Sequence, residues 1–247
     1  MNLLLLSNST QYGRGYLEHA LDTVTAFLPA RARLAFVPYA LADHDAYTAK
    51  VRDALAGAGI DVHGVHEGGD PVGRLAEADA VFVGGGNSFR LLAALYRTGL
   101  RDALIKAVGD GLPYMGASAG TNMAAPTLRT TNDMPIVQPP SFEALGLVPF
   151  QINPHYLDPD PRSTHKGETR EERLREFLEE NDVPVLGLRE GSWLRVAGTR
   201  ATIGGENDAR LFLRGTAPRE VPVGSDVSEL LAVTPEYDKV PGGPSRR

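Results

Sequence analysis

Gly116-Ala117-Ser118-Ala119-Gly120 follows the short apolar stretch Pro113–Met115 and leads into a helical pattern. It reads G-x-S-x-G on a strand-to-helix turn. A serine on so sharp a turn needs small neighbours, because any Cβ on the flanking glycines would crowd the backbone. Ala117 and Ala119 are small as well. Such a turn lifts the hydroxyl out of the sheet and aims the first unpaired N–H groups of the next helix at the reacting centre. The competing reading of the same five residues is a tight connection with no chemistry.

Upstream of the turn, short apolar runs alternate with amphipathic stretches. Leu3–Leu6, Leu34–Val37, Val62–Val65 and Ala80–Val83 read as strands. Tyr16–Leu28, Tyr47–Ala58, Phe89–Leu95 and Leu100–Val108 carry apolar residues at helical spacing. This alternation predicts an α/β fold, with a mainly parallel sheet and helices on both faces. Ligands on such sheets bind beyond the carboxyl ends of the strands. The informative loops are therefore those that follow each strand.

Downstream the pattern changes. Residues 125–160 hold several prolines and few periodic runs, a length that points to a functional loop. Thr169–Glu180 reads as a charged helix with Leu174, Phe177 and Leu178 inward. Pro184–Leu188, Trp193–Ala197 and Ala209–Leu213 read as antiparallel strands near a sheet edge. The expected organisation is a single domain over 1–232 followed by a poorly ordered tail, 233–247, rich in Pro, Gly and charge.

Composition narrows the function. With 247 residues the chain suits one α/β domain. A net charge of -6 argues against the nucleic-acid backbone as a partner, which requires clustered cations. The absence of cysteine excludes disulfides, cysteine metal ligands and a cysteine nucleophile, and fits a reducing compartment. Leu3–Leu6 is too short, and too poor in flanking basic residues, for a signal peptide, and no stretch is long and apolar enough to cross a bilayer. The expected location is cytoplasmic, with no membrane partner.

A second glycine run, Val83-Gly84-Gly85-Gly86-Asn87-Ser88-Phe89, follows another strand. It fails the dinucleotide pattern, because Phe89 stands where G-x-G-x-x-G needs a small residue, and it lacks a phosphate-binding lysine. Its better reading is half of an oxyanion hole, with Gly85 or Gly86 supplying an amide beside that of Ala119. A serine hydroxyl also needs a base. Among six histidines, His155 in Gln151-Ile152-Asn153-Pro154-His155-Tyr156 lies just after an apolar strand, in the long loop region. His19, His63 and His66 fall in a helix or around a strand, where packing or surface roles are commoner. The imidazole needs a carboxylate to hold its tautomer. Asp133 and Glu190 both follow extended segments, and the residues alone do not rank them.

Taken in order, Leu4-Leu5-Leu6-Ser7-Asn8-Ser9-Thr10, Val83–Asn87, Ser118-Ala119-Gly120, Arg129–Val137, Gln151–His155 and His165-Lys166-Gly167-Glu168-Thr169-Arg170 resemble the peptidase E family. The resemblance runs from Met1 to about Leu213. It implies a fold like the class I glutamine amidotransferase domain with serine at the elbow, no metal or organic cofactor, and commonly a homodimer. It implies cleavage of dipeptides with N-terminal aspartate (an α-aspartyl dipeptidase), with the triad on Ser118, Asp133 and His155. Glu190 is then a residue that assists the site or the substrate amine. Arg170 matches the family position for the cation that takes the aspartate side chain, and Asn87 is the other expected substrate contact. The simpler alternative for Arg170 is a surface arginine in Arg170-Glu171-Glu172-Arg173. Ala117 departs from the family, which carries a large aromatic before the serine, and points to a wider site.

Three other readings share these parts. An α/β-hydrolase esterase has the same order Ser, Asp, His, but its histidine lies nearer the C-terminus and its elbow comes earlier. A cyanophycinase-like peptidase would cut β-aspartyl links with the same catalytic groups. A non-catalytic module would use the elbow and glycine run to hold an anion.

Overall fold

The computed structural model describes residues 1–162, 164 and 166–239. In chain order its elements are β1 (Asn2–Leu6), a 3-10 turn Glu18–Ala20, α1 (Leu21–Phe27), β2 (Arg33–Val37), α2 (His44–Leu55) and β3 (Asp61–Gly64). Next come α3 (Pro71–Ala76), β4 (Ala80–Val83), α4 (Ser88–Thr98), α5 (Leu100–Gly109), β5 (Tyr114–Ala117) and α6 (Ala119–Ala124). The remainder comprises β6 (Gln151–Tyr156), α7 (Arg170–Glu180), β7 (Val185–Arg189), β8 (Ser192–Ala197), β9 (Arg200–Gly205), β10 (Ala209–Phe212) and β11 (Arg219–Val221).

Seven strands form the main sheet in the order β3-β2-β4-β5-β1-β8-β9. The first five are parallel, and β8 and β9 add on antiparallel. Successive side chains on a strand point to opposite faces. Leu3 and Leu5 of β1, Val81 and Val83 of β4, and Tyr114 of β5 join one core with α4 and α5. Leu4, Leu6, Phe36, Phe82 and Met115 join the other, against α1 and α2. Burial on both faces explains why these strands are continuous apolar runs.

Four strands form a second sheet, β11-β10-β7-β6. Its Ile152, Leu186, Leu188, Ala209 and Leu211 enter the first core, so the two sheets share one interior. Its other face takes Leu174 and Leu178 of α7 onto Tyr156, Val185 and Phe212. Of the three strands expected to be antiparallel near an edge, β8 is antiparallel beside the edge strand β9 of the main sheet and β10 is antiparallel to both its neighbours, while β7 departs from the expectation. β7 leaves the main sheet and pairs parallel with β6, and only its other neighbour, β10, is antiparallel.

The segment between α6 and β6 lacks regular elements but is not loose. Leu128, Leu145, Leu147, Val148 and Phe150 are buried in the shared core. Residues 233–239, expected to be part of a poorly ordered tail, pack onto the body. Asp182 and Glu236 pair as a β-bridge, Arg129 forms an ion pair with Asp238, and the Tyr237 hydroxyl donates to Gln151 at 3.4 Å. The rest of that expected tail, 240–247, lies outside the described residues, as does His165. Among the described residues no helix is long and apolar enough to cross a membrane.

Candidate active site

Three adjacent strands of the main sheet, β4, β5 and β1, end at the same edge. Val83 lies level with Gly116, and Leu6 with Ala117. The loops after these strands therefore meet. Ser118 sits between β5 and α6 with φ 53° and ψ -111°, an uncommon conformation for a residue with a side chain. Its neighbours fix it there. The Ser118 N–H and the Thr121 hydroxyl both donate to the Leu6 carbonyl, at 3.1 and 2.6 Å, and the Tyr114 hydroxyl donates to the Gly120 carbonyl at 2.6 Å. The glycines are sterically required. A Cβ on Gly116 would lie 2.6 Å from the Gly120 carbonyl oxygen, and one on Gly120 would lie 2.0 Å from that of Val83.

The candidate base comes from the second sheet. His155 lies in β6 at φ 53°, where the pairing with β7 shifts register between Pro154 and Tyr156. The kink turns the imidazole toward the elbow, and Nε2 is 2.9 Å from Ser118 Oγ. On the other side Nδ1 is 2.7 Å from Glu190 Oε1. An ionised carboxylate can only accept, so Nδ1 carries the proton and Nε2 is left to accept from the serine. Glu190 directly follows β7, and the β6–β7 pairing brings it alongside His155.

Asp133 occupies another position. Its Oδ2 accepts from the Ser88 N–H at 2.7 Å, at the start of α4. Its loop is pinned by Thr131, whose hydroxyl donates to Ser88 Oγ at 3.0 Å, and by Asn132, which donates to the Pro154 carbonyl at 2.8 Å. The structure thus puts Glu190, rather than the expected Asp133, on the imidazole. The reason is that the loop holding Asp133 docks on the N-terminus of α4. Asp133 still lines, with Ser118, His155, Asn122, Asn132 and Arg170, a cavity of about 200 Å³. Arg170 is half-buried there and has no ion pair among the described residues. Burial pulls its pKa down, with Arg173 adding to the effect, while Asp133 and Glu190 act in the opposite direction.

Two other expected residues are differently employed. The Asn87 side chain caps α4, accepting from the Arg90 N–H at 3.0 Å, and donates to the Met134 carbonyl at 2.9 Å. One N–H and one lone pair of its amide are thus used to brace α4 against the 134 loop. Gly85 approaches the serine closely, since a Cβ there would lie 3.0 Å from Ser118 Cβ. However, its N–H donates to the Tyr47 hydroxyl at 2.8 Å. Of the expected oxyanion amides, Ala119 stands at the first position of α6, where an N–H has no intrahelical acceptor. Gly86 follows Gly85 at φ 133°, and a Cβ on it would meet the Ala40 carbonyl oxygen at 2.6 Å. Ala117 is fully buried beneath the elbow, packed with Leu6 and Met115. It is not on the lining of either cavity beside Ser118.

On the other flank a larger cavity, about 530 Å³, is shared by Ser118, His155, Gly85, Gly86, Tyr16 and Tyr47. The two phenol oxygens are 3.1 Å apart. Burial pushes both pKa values up, so both stay neutral. Among the described residues no group of three His, Cys, Asp or Glu is placed to hold a metal ion.

Two residues that the sequence offered only as part of a motif, with no role, turn out to position the site. Ser7 is fully buried, accepts from the His155 N–H at 2.9 Å and donates to the Leu188 carbonyl at 2.8 Å. Asn8 accepts from the Gly191 N–H at 2.8 Å, which fixes the turn after Glu190. The available signal was a polar pair directly after the leucine run of β1, next to the elbow.

Residues 3–204 match the sequence profile of peptidase family S51. The chain belongs to that family. It is 86% identical over 238 residues to peptidase E of Streptomyces coelicolor, covering 96% of this chain and 98% of the relative. It is 53% identical over 233 residues to a Drosophila melanogaster protein named "Probable alpha-aspartyl dipeptidase", covering 93% and 97%. A solved peptidase from an acI-B1 actinobacterium shares the fold, with TM-score 0.67 at 15% identity, over 92% of this chain and 96% of that one. Membership in family S51 makes the chain a peptide-bond hydrolase.

Proposed function

We propose that this family S51 member is a serine dipeptidase that cleaves α-aspartyl dipeptides, with Ser118 as nucleophile, His155 as base and Glu190 as the partner of the base. The observation that carries the reading is the unbroken line from Glu190 Oε1 through the imidazole to Ser118 Oγ, at 2.7 and 2.9 Å. In the first step Nε2 takes the hydroxyl proton while Oγ attacks the scissile carbonyl carbon. The amides of Ala119 and Gly86 receive the oxyanion, each worth about 3–4 kcal/mol. The imidazolium then protonates the leaving nitrogen, and the C–N bond breaks to give an acyl ester on Ser118. His155 next activates a water that attacks this ester and frees the acid.

Specificity follows from charge. A guanidinium offers two parallel donors to a carboxylate. Arg170, with no ion pair among the described residues beside Ser118, suits the aspartate side chain of the substrate. Asp133, on the wall of the same cavity, suits its α-ammonium group. The S. coelicolor and D. melanogaster relatives support this choice over β-aspartyl or ester cleavage. We further place the enzyme in the cytoplasm, in line with a cysteine-free chain, and as a homodimer, in line with the family resemblance. Light scattering on the purified protein tests the dimer.

The functional test compares Asp-Leu, β-Asp-Leu, Leu-Leu and a simple ester with wild-type and Ser118→Ala enzyme. Asp-Leu should be the preferred substrate, and Ser118→Ala should lower kcat by up to about 10⁶-fold. Turnover by Ser118→Ala close to wild type would remove the nucleophile. Preference for β-Asp-Leu would keep the mechanism and reassign the pocket.

A further inference from the structure

An aspartyl dipeptide carries three charges. They are the β-carboxylate and the α-ammonium of its first residue and the terminal carboxylate of its second. The smaller cavity answers the first two, with Arg170 and Asp133 on its walls. The third belongs to the leaving residue, which must extend to the other side of the scissile bond and hence of Ser118.

The larger cavity lies on that side, reaches Ser118 and His155, and has Lys50 among its lining residues. Lys50 projects from α2, with Nζ 4.9 Å from the centroid of the Tyr16 ring. That ring and the neighbouring Leu41, Ala46 and Tyr47 offer apolar surface for a side chain. The one acid on the lining, Asp43, is the N-cap of α2, and its Oδ1 accepts from the Ala46 N–H at 2.9 Å. We propose that the larger cavity is the subsite for the leaving residue and that Lys50 binds the terminal carboxylate of the substrate. The inference rests on the aspartyl-dipeptidase reading of the site. An ammonium on a flexible four-carbon stem is a point charge that can follow a carboxylate as the leaving side chain varies in size. Lys50 is solvent-exposed, so its attraction for an anion is modest and falls with salt. It would make the enzyme favour dipeptides over longer or blocked peptides without restricting the second side chain.

The test uses Asp-Leu and its C-terminal amide, Asp-Leu-NH₂, with wild-type, Lys50→Met and Lys50→Arg enzymes. Wild type should favour the free acid about tenfold in kcat/KM, through KM, and this preference should shrink between low and high salt. In Lys50→Met the ratio of the two kcat/KM values should fall toward one, and Lys50→Arg should restore most of it. A ratio that stays at the wild-type value in Lys50→Met overturns the proposal. So does an equal loss on both peptides. Wild-type enzyme inert toward both peptides overturns the dipeptidase reading itself, and this proposal with it.

Discussion

Replacing Glu190 by Gln tests the pairing on which the site reading depends. The exchange keeps the shape and removes the charge beside the imidazolium that forms when His155 takes the serine proton. With Nδ1 and Oε1 at 2.7 Å, the charge centres lie about 4 Å apart. At an effective dielectric of about 20 their attraction is about 4 kcal/mol. Both side chains meet water, at 36% exposure for His155 and 55% for Glu190, which reduces the figure to about 2 kcal/mol. Each 1.36 kcal/mol is tenfold in rate. The expected loss in kcat is therefore about 30- to 1000-fold, with a smaller change in KM. The assay is steady-state hydrolysis of Asp-Leu, with Asp133→Asn measured in parallel. Because the Asp133 carboxylate holds the Ser88 N–H rather than the imidazole, Asp133→Asn should act more on KM than on kcat. If Glu190→Gln keeps kcat within twofold while Asp133→Asn loses more than about 100-fold, the carboxylate partner is Asp133 and the reasoning fails.

Three further outcomes are expected. Gly120→Ala places a Cβ 2.0 Å from a backbone oxygen that cannot swing aside, and should cost about 3 kcal/mol or more in urea unfolding; an unchanged midpoint would falsify the steric account of the elbow. Ser7→Ala leaves the His155 N–H and the Leu188 carbonyl without their shared buried partner, at about 2–4 kcal/mol of stability, and should lower kcat more than KM as the base shifts; equal effects on both constants would count against a positioning role. Arg189 bonds both oxygens of Asp158 and of Glu220, and its hydrogen bonds hold both carboxyls below their ordinary pKa. Their folded pKa values lie below the unfolded ones. The stabilisation is therefore complete above about pH 5 and fades as pH falls below about 4. Melting curves of wild type and Arg189→Met should converge toward pH 3, and a gap independent of pH would contradict this.

The parallel part of the main sheet is legible because β1, β2 and β4 are buried on both faces and so appear as uninterrupted apolar runs. The elbow is legible because only glycine fits where Gly116 and Gly120 pass other backbone. Less visible was α3, six residues with Pro71 and Gly73 inside, although Asp70 accepts from the Gly73 N–H as a cap should. β9 shows only two inward residues, Ala201 and Ile203, too few for alternation to stand out. The choice between Asp133 and Glu190 has no local signature. It depends on which strand comes to lie beside β6, and thus on the pairing of Tyr156 with Arg189. The same holds for the bond from the Asn87 amide to the Met134 carbonyl, invisible until the 134 loop is placed, whereas its cap on the Arg90 N–H is local.

Ser118 ends a strand of one sheet, whereas His155 and Glu190 belong to a strand of the other and the turn that follows its neighbour. Their alignment rests on the shared core between the sheets and on the contacts of Ser7 and Asn8. Turnover is therefore a sensitive gauge of how the sheets are seated: a slip of an ångström at their junction would silence the enzyme while leaving each sheet, and its spectroscopic signature, intact. Heating should then extinguish peptide hydrolysis before circular dichroism records any loss of helix or strand.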